Sequence, residues 1–188
     1  MTIFLLFLTA LATASGAMRQ SESDALRQTA PVDLPTTEKA ALHLAGATFA
    51  GELFSVDPAV LLALAYRESR YTLGVVGRAV RGRHACGLMQ PMMHDERCAD
   101  QTVIEGYLEG ANHLRVWLDT KTCRGDLHCA LLGYGGGYAL INGCAAGPVI
   151  VERNGKRADF CKFVPDSITV RAALIRARLQ RAATGAAS

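Results

Sequence analysis

Between Asp57-Pro58 and Glu68-Ser69 lies a run, Ala59 to Tyr66, whose side chains carry no polar atom except one phenol oxygen. Asp57 can accept from the unpaired N–H groups that open a helix, and Pro58 fits its first turn, so a helix is predicted to begin there. A helix that is apolar on every side has to be buried, and this one is too short to cross a bilayer. The chain must therefore wrap a core around it. Leu61, Leu64, Ala65 and Glu68 share one face at the i, i+3, i+4, i+7 spacing. A carboxylate on such a face is poorly solvated when ionised, so its pKa should rise, and a raised carboxyl is what a general acid near neutral pH requires. The plainer alternative is a helix-end Glu whose charge points to water.

The 188 residues suit one domain with a real core. A net charge of +3 is too small and too scattered for a nucleic-acid footprint. The N-terminus, MTIFLLFLTALATASGA, carries an apolar run from Ile3 to Leu11 followed by small residues, the pattern of a signal peptide over residues 1–17, although no Lys or Arg precedes the run. No other stretch is long and apolar enough to span a membrane, so no stable insertion is expected once the signal is removed. Cys86, Cys98, Cys123, Cys129, Cys144 and Cys161 give an even count outside the signal, which in an exported chain reads as three disulfides. Pairing between sequence neighbours (Cys86 with Cys98, Cys123 with Cys129, Cys144 with Cys161) is the arrangement expected, with other connectivities open. His84, Cys86, His94 and Cys98 are near enough in sequence for a metal site, which an oxidising compartment disfavours. No metal and no cofactor is expected.

Residues 18–35 are polar, with two prolines and no sustained period, and read as a linker or flexible arm. A helix is predicted from Thr36, with Leu42, Ala45, Phe49 and Leu53 on one face, packed beside the Asp57–Ser69 helix as an outer layer. A loop follows Ser69, rich in glycine and in arginine (Arg78, Arg81, Arg83), and ends at Gly87-Leu88-Met89-Gln90. Those four offer close backbone approach, two flexible apolar side chains and an amide, which are parts for a sugar subsite or, equally, for a core. Asp100 to about Lys121 reads as an amphipathic helix capped by Asp100, with Ile104, Tyr107, Leu108, Ala111, Leu114 and Leu118 as its stripe. Trp117 and His113 there are read as packing residues. Asp126 can cap a helix running into Tyr134 and Gly135-Gly136-Gly137. Val-Ile-Val before Asn154-Gly155 predicts a small β-hairpin. A last helix is expected from Asp166 to about Ala182, with Ile168, Ala172, Ile175 and Leu179 inward.

Glu68-Ser69 closing an apolar helix, then Gly-Leu-Met-Gln, then Ala-x-x-x-Tyr-x-x-Gly over Ala130 to Gly137 resembles, in order and spacing, the catalytic domain of lytic transglycosylases of the Slt type. The resemblance covers roughly Glu52 to Leu140. It implies a lysozyme-like architecture, so that with the cysteines and the hairpin signal read above the expectation is a mainly α, disulfide-stabilised single domain over residues 36–182, with a small β-hairpin and a short tail at 183–188. It also implies Glu68 as the catalytic residue, with Ser69, Gly87, Leu88, Met89, Gln90 and Tyr134 at the substrate. Three departures stand out: Thr72-Leu73 where the family has Asn-Pro, His113 where it has Tyr, and Gly135 where it has Asn, for which Asn142 is a candidate replacement.

The implied substrate partner is the glycan strand of peptidoglycan, the implied location periplasmic or extracellular. A monomer is expected, and small exported members of the family point to a secretion or conjugation apparatus as a further partner. In the implied reaction one carboxyl acts as acid and then as base, leaving a 1,6-anhydro end. A hydrolytic muramidase, the first alternative, would need a second carboxylate, with Asp95, Glu96 and Asp100 the nearby options. The second alternative is an inactive wall-binding scaffold.

Overall fold

The structure, a computed structural model, describes residues 20, 22–31, 33–34, 36–77, 82–93, 100–153 and 155–184. They form helices α1 (22–27), α2 (Thr37–Phe54), α3 (Pro58–Ser69), α4 (Val103–Asp119), α5 (Leu127–Ala146) and α6 (Phe160–Ala183). Two small antiparallel sheets accompany them: β1 (His84–Ala85) with β2 (Met92–Met93), and β3 (Ile150–Arg153) with β4 (Lys156–Asp159). The fold is mainly helical, as the sequence predicts.

The predicted central helix is α3. Asp57 accepts from the Ala59 N–H at 2.8 Å, Pro58 opens the first turn, and every residue from Ala59 to Ala65 is buried. Against it pack α2, α6 and α4. Burying this run and the apolar residues that meet it supplies the main driving force for the fold, at about 1.5–3 kcal/mol for each large side chain.

The outer helix α2 turns the other way from expectation. Leu42, Phe49 and Leu53 are 47, 53 and 61% exposed, while Ala40, His43, Gly46, Ala47, Ala50 and Gly51 are buried. The reason is distance: α2 lies so near α4 that a methyl added at Gly46 would stand 2.9 Å from the Tyr107 ring. Only the small-residue face permits that approach, so the larger apolar residues are left outside.

The stretch read as a linker also needs correction. Leu26 and Leu34 are fully buried and Ala25 and Ala30 nearly so. Asp24 accepts from the Thr37 hydroxyl at 2.6 Å, and Arg171 of α6 donates to the Thr29 carbonyl at 3.4 Å. The polar residues that gave this segment a linker's composition tie it to α2 and α6, while its few apolar residues enter the core.

Two helix starts shift. Thr102, not Asp100, caps α4, in a reciprocal capping box with Glu105, and Ile104 of the predicted stripe is exposed. α6 begins at Phe160, capped by Asp159, and continues through Pro165. The Pro165-Asp166 pair looks like a helix start because proline favours the first turn, yet here it lies inside the helix. Ile168, Ala172 and Ile175 face inward as predicted.

The hairpin forms with Ile150 opposite Asp159 and Arg153 opposite Lys156; Gly155 takes φ +71, and Asn154 lies outside the described residues. Cys144–Cys161 and Cys123–Cys129 are bonded as expected. Cys86 is disulfide-bonded too; its expected partner Cys98 is outside the described residues. So is the whole signal-peptide segment, and among the described residues no helix is long and apolar enough to cross a membrane.

Candidate active site

The last turn of α3 delivers Tyr66, Arg67, Glu68 and Ser69 to the surface of the core. The helix then stops abruptly, because Arg70 and Tyr71 both take left-handed backbone angles, φ +54 and +60. Two such non-glycine residues in succession are strained, and a buried side chain holds them. Tyr71 is fully buried, its ring edge-on to His43 at 4.9 Å between centroids, and His43 Nδ1 lies 3.2 Å from the Tyr107 hydroxyl. Burial pushes the His43 imidazole down to about 4, with Lys39 adding to the effect, so it is neutral at pH 7.

Glu68 is half-buried, its side chain 22% exposed. Desolvation raises its carboxyl above the ordinary carboxylate range, and the Arg67 guanidinium, 3.2 Å from Oε1, opposes that rise. The first effect dominates, which is the poise the sequence predicts for this face.

The other expected site residues take unequal roles. Ser69 donates its hydroxyl to the Ala65 carbonyl at 3.1 Å, within its own helix. Gly87, at φ +72, donates its N–H to the Val75 carbonyl at 2.8 Å, and a methyl there would run into the Gln101 side chain. Leu88 and Met89 are fully buried, so their side chains are core rather than cleft lining. They fill a notch in α4: methyls at Gly106 and Gly110 would approach the Leu88 and Met89 Cβ atoms to 2.7 and 2.6 Å. The Gln90 amide nitrogen donates to the Val75 and Gly87 carbonyls at 2.8 and 2.7 Å, closing the loop on itself.

Tyr134 donates its phenol to the Met89 carbonyl at 2.5 Å, locking α5 to that loop. Burial holds the phenol well above its ordinary pKa, and the charges of Glu68 and Glu109 add to this. His113 stacks edge-on against Tyr134 at 4.9 Å, and burial lowers its pKa, with Arg83 contributing. The packing role expected for His113 thus places it at the site. Trp117 packs on Gly133 and meets Tyr138 edge-on, while Asn142 is exposed.

Glu109 was not anticipated. It accepts from Gln101 Nε2 at 2.5 Å, while Gln101 Oε1 accepts from the Leu88 N–H at 3.0 Å. A signal was present: Gly106, Glu109, Gly110 and His113 fall at i, i+3, i+4, i+7, one polar-and-glycine face on an otherwise ordinary helix. Of the carboxylates named for a hydrolase, Asp95 and Glu96 lie outside the described residues and Asp100 is exposed. Arg78 and Arg81 are also outside; Arg83 donates to the Met92 carbonyl at 2.9 Å. His84 Nδ1 lies 3.3 Å from the Gly77 carbonyl, and among the described residues no cluster of His, Cys, Asp and Glu has the makings of a metal site.

No protein-family model, curated protein or solved structure matches the chain.

Proposed function

We propose that this protein is a peptidoglycan lytic transglycosylase with a lysozyme-like catalytic domain, exported to the periplasm or beyond. The observation that carries the reading is Glu68: a carboxyl at the end of a helix buried from Ala59 to Ala65, raised by desolvation, beside a phenol fixed on the Met89 carbonyl. Protonated Glu68 gives its proton to the oxygen linking N-acetylmuramic acid to N-acetylglucosamine, and the bond from muramic C1 to that oxygen breaks. The muramic C6 hydroxyl then closes on C1 and returns its proton to Glu68. One carboxyl is regenerated, no water is consumed, and the product ends in 1,6-anhydromuramic acid.

Mass spectrometry of products from purified peptidoglycan tests this. Anhydro ends that disappear with Glu68→Gln are the expected result. Reducing ends, one water heavier, would instead make the enzyme a muramidase, with Glu109 the carboxylate to examine, since its charge reaches the same phenol as that of Glu68. Binding without products would leave a wall-binding scaffold. A monomer acting on glycan strands, alone or for a secretion or conjugation apparatus, fits the single helical body.

A further inference from the structure

Gln101, the residue before the capping Thr102 of α4, is buried, and its side-chain amide is held at both ends. Oε1 accepts from the Leu88 N–H at 3.0 Å, and Nε2 donates to Glu109 at 2.5 Å. Two glycines leave room for that oxygen: a methyl at Gly106 would stand 2.9 Å from it, and one at Gly87 would collide with it. The next residue of the loop, Met89, carries the carbonyl that accepts the Tyr134 phenol at 2.5 Å. Leu88 and Met89 thus take the Gln101 bond on one side and the Tyr134 bond on the other. The charges of Glu68 and Glu109 both bear on that phenol, so the network ends beside Glu68.

A side-chain amide has two ends of nearly equal shape, so its orientation has to come from its partners. The Leu88 N–H can only donate and requires Oε1. A carboxylate can only accept and requires Nε2, so Glu109 demands the same orientation from the other end. An amide at position 109 would accept or donate and would no longer choose. A flipped Gln101 would set its NH2 group against the Leu88 N–H and leave a buried donor unsatisfied.

We propose that Glu109 is a positioning residue: by fixing the Gln101 amide it holds the Leu88–Met89 backbone, and through it the Tyr134 phenol, in place beside Glu68. The inference rests on the transglycosylase reading of Glu68, and it keeps Glu109 off the reacting atoms.

The test moves the carboxylate along its own hydrogen bond. Glu109→Gln leaves an amide facing an amide, and Gln101→Glu sets two carboxylates against each other. The double variant Gln101→Glu/Glu109→Gln restores a consistent pair, because a carboxylate at position 101 accepts from the Leu88 N–H and from an amide at 109 alike. Turnover of purified peptidoglycan and hydrogen exchange of the Leu88 amide are measured for wild type and all three variants. With KM nearly unchanged, kcat should fall about tenfold in Glu109→Gln and about a hundredfold in Gln101→Glu, and Leu88 should exchange faster in both. The double variant should return to within about threefold of wild type in both measures, far from the product of the single losses. If Gln101→Glu does not fold, the comparison of Glu109→Gln with the double variant decides alone.

A double variant as slow as Glu109→Gln would overturn the proposal, because a carboxylate that takes part in the reaction cannot be relocated. Single variants that melt lower yet keep the wild-type kcat would overturn it too. A wild type that yields no products at all removes the transglycosylase reading instead. In that case recovery of Leu88 exchange in the double variant upholds the hold of Glu109 on Gln101, and failure to recover sinks it.

Discussion

His43 and Glu68 are pushed toward their neutral forms by the same force and put to different ends. His43 is sealed between α2 and the rings of Tyr71 and Tyr107; Glu68 stands at the rim, with a guanidinium beside it and a groove next to that. Desolvation alone does not distinguish a core residue from a reactive one. What separates them is access: the Glu68 side chain is open to solvent, whereas charging His43 means opening the packing around the residue that terminates α3.

The largest expected effect sharpens this contrast. Glu68→Gln should lower turnover about a thousandfold or more, measured as release of soluble glycan fragments. Because the folded state raises the carboxyl, ionisation of Glu68 weakens the fold, so the same variant should melt higher than wild type at pH 7 and lose that advantage in acid.

His43 should behave in the opposite manner. Its folded pKa, about 4, lies below the ordinary 6.5, so the unfolded chain binds more protons between those values and stability falls as pH drops through that window. The total loss attributable to this group is about 3 kcal/mol, complete near pH 4. Denaturant titrations of His43→Gln, whose amide offers both a donor and an acceptor to the Tyr107 hydroxyl, should show a flatter acid limb with turnover per folded molecule unchanged. A variant that lost turnover instead would break the division drawn above.

Support of the rim comes next. Gly110→Ala drives a methyl against Met89, whose carbonyl holds Tyr134, and should cost about 2 kcal/mol in denaturant unfolding. Removing the cap of α3 with Asp57→Ala, which also ends the exposed ion pair with Arg176, should cost about 1 kcal/mol. Smallest is Gly135→Asn. The glycine is exposed, and an added Cβ would meet only Val164 at 3.6 Å, so stability should change by a few tenths of a kcal/mol.

How much of this was legible depended on whether a residue's role follows from its neighbours in sequence. α3, its cap and the raised carboxyl were readable because Asp57, Pro58, the apolar run and Glu68 are consecutive and each acts locally. The hairpin and two disulfides followed in the same way. The buried face of α2 was not readable, since hydrophobic periodicity favours Leu42, Phe49 and Leu53, whereas proximity to α4 selects alanine and glycine. Leu88 and Met89 went the same way: two apolar residues after a glycine serve a cleft or a core equally well until the glycine notch opposite them is known. Glu109 escaped because its importance lies in Gln101 and Tyr134, partners from elsewhere in the chain.

Cys123–Cys129 and Cys144–Cys161 span only 6 and 17 positions. The first pair can meet as soon as the turn before α5 exists, without help from distant parts of the molecule. For the second, Cys161 sits in the opening turn of α6, just past the β3–β4 hairpin, so the hairpin must fold back before the sulfurs approach. Oxidation can thus follow the order in which the polypeptide is made, each bond closing a short loop at modest entropic cost. A chain built this way can acquire these two crosslinks from its local turns, with the long-range docking of α6 on α3 left until after the second bond has closed.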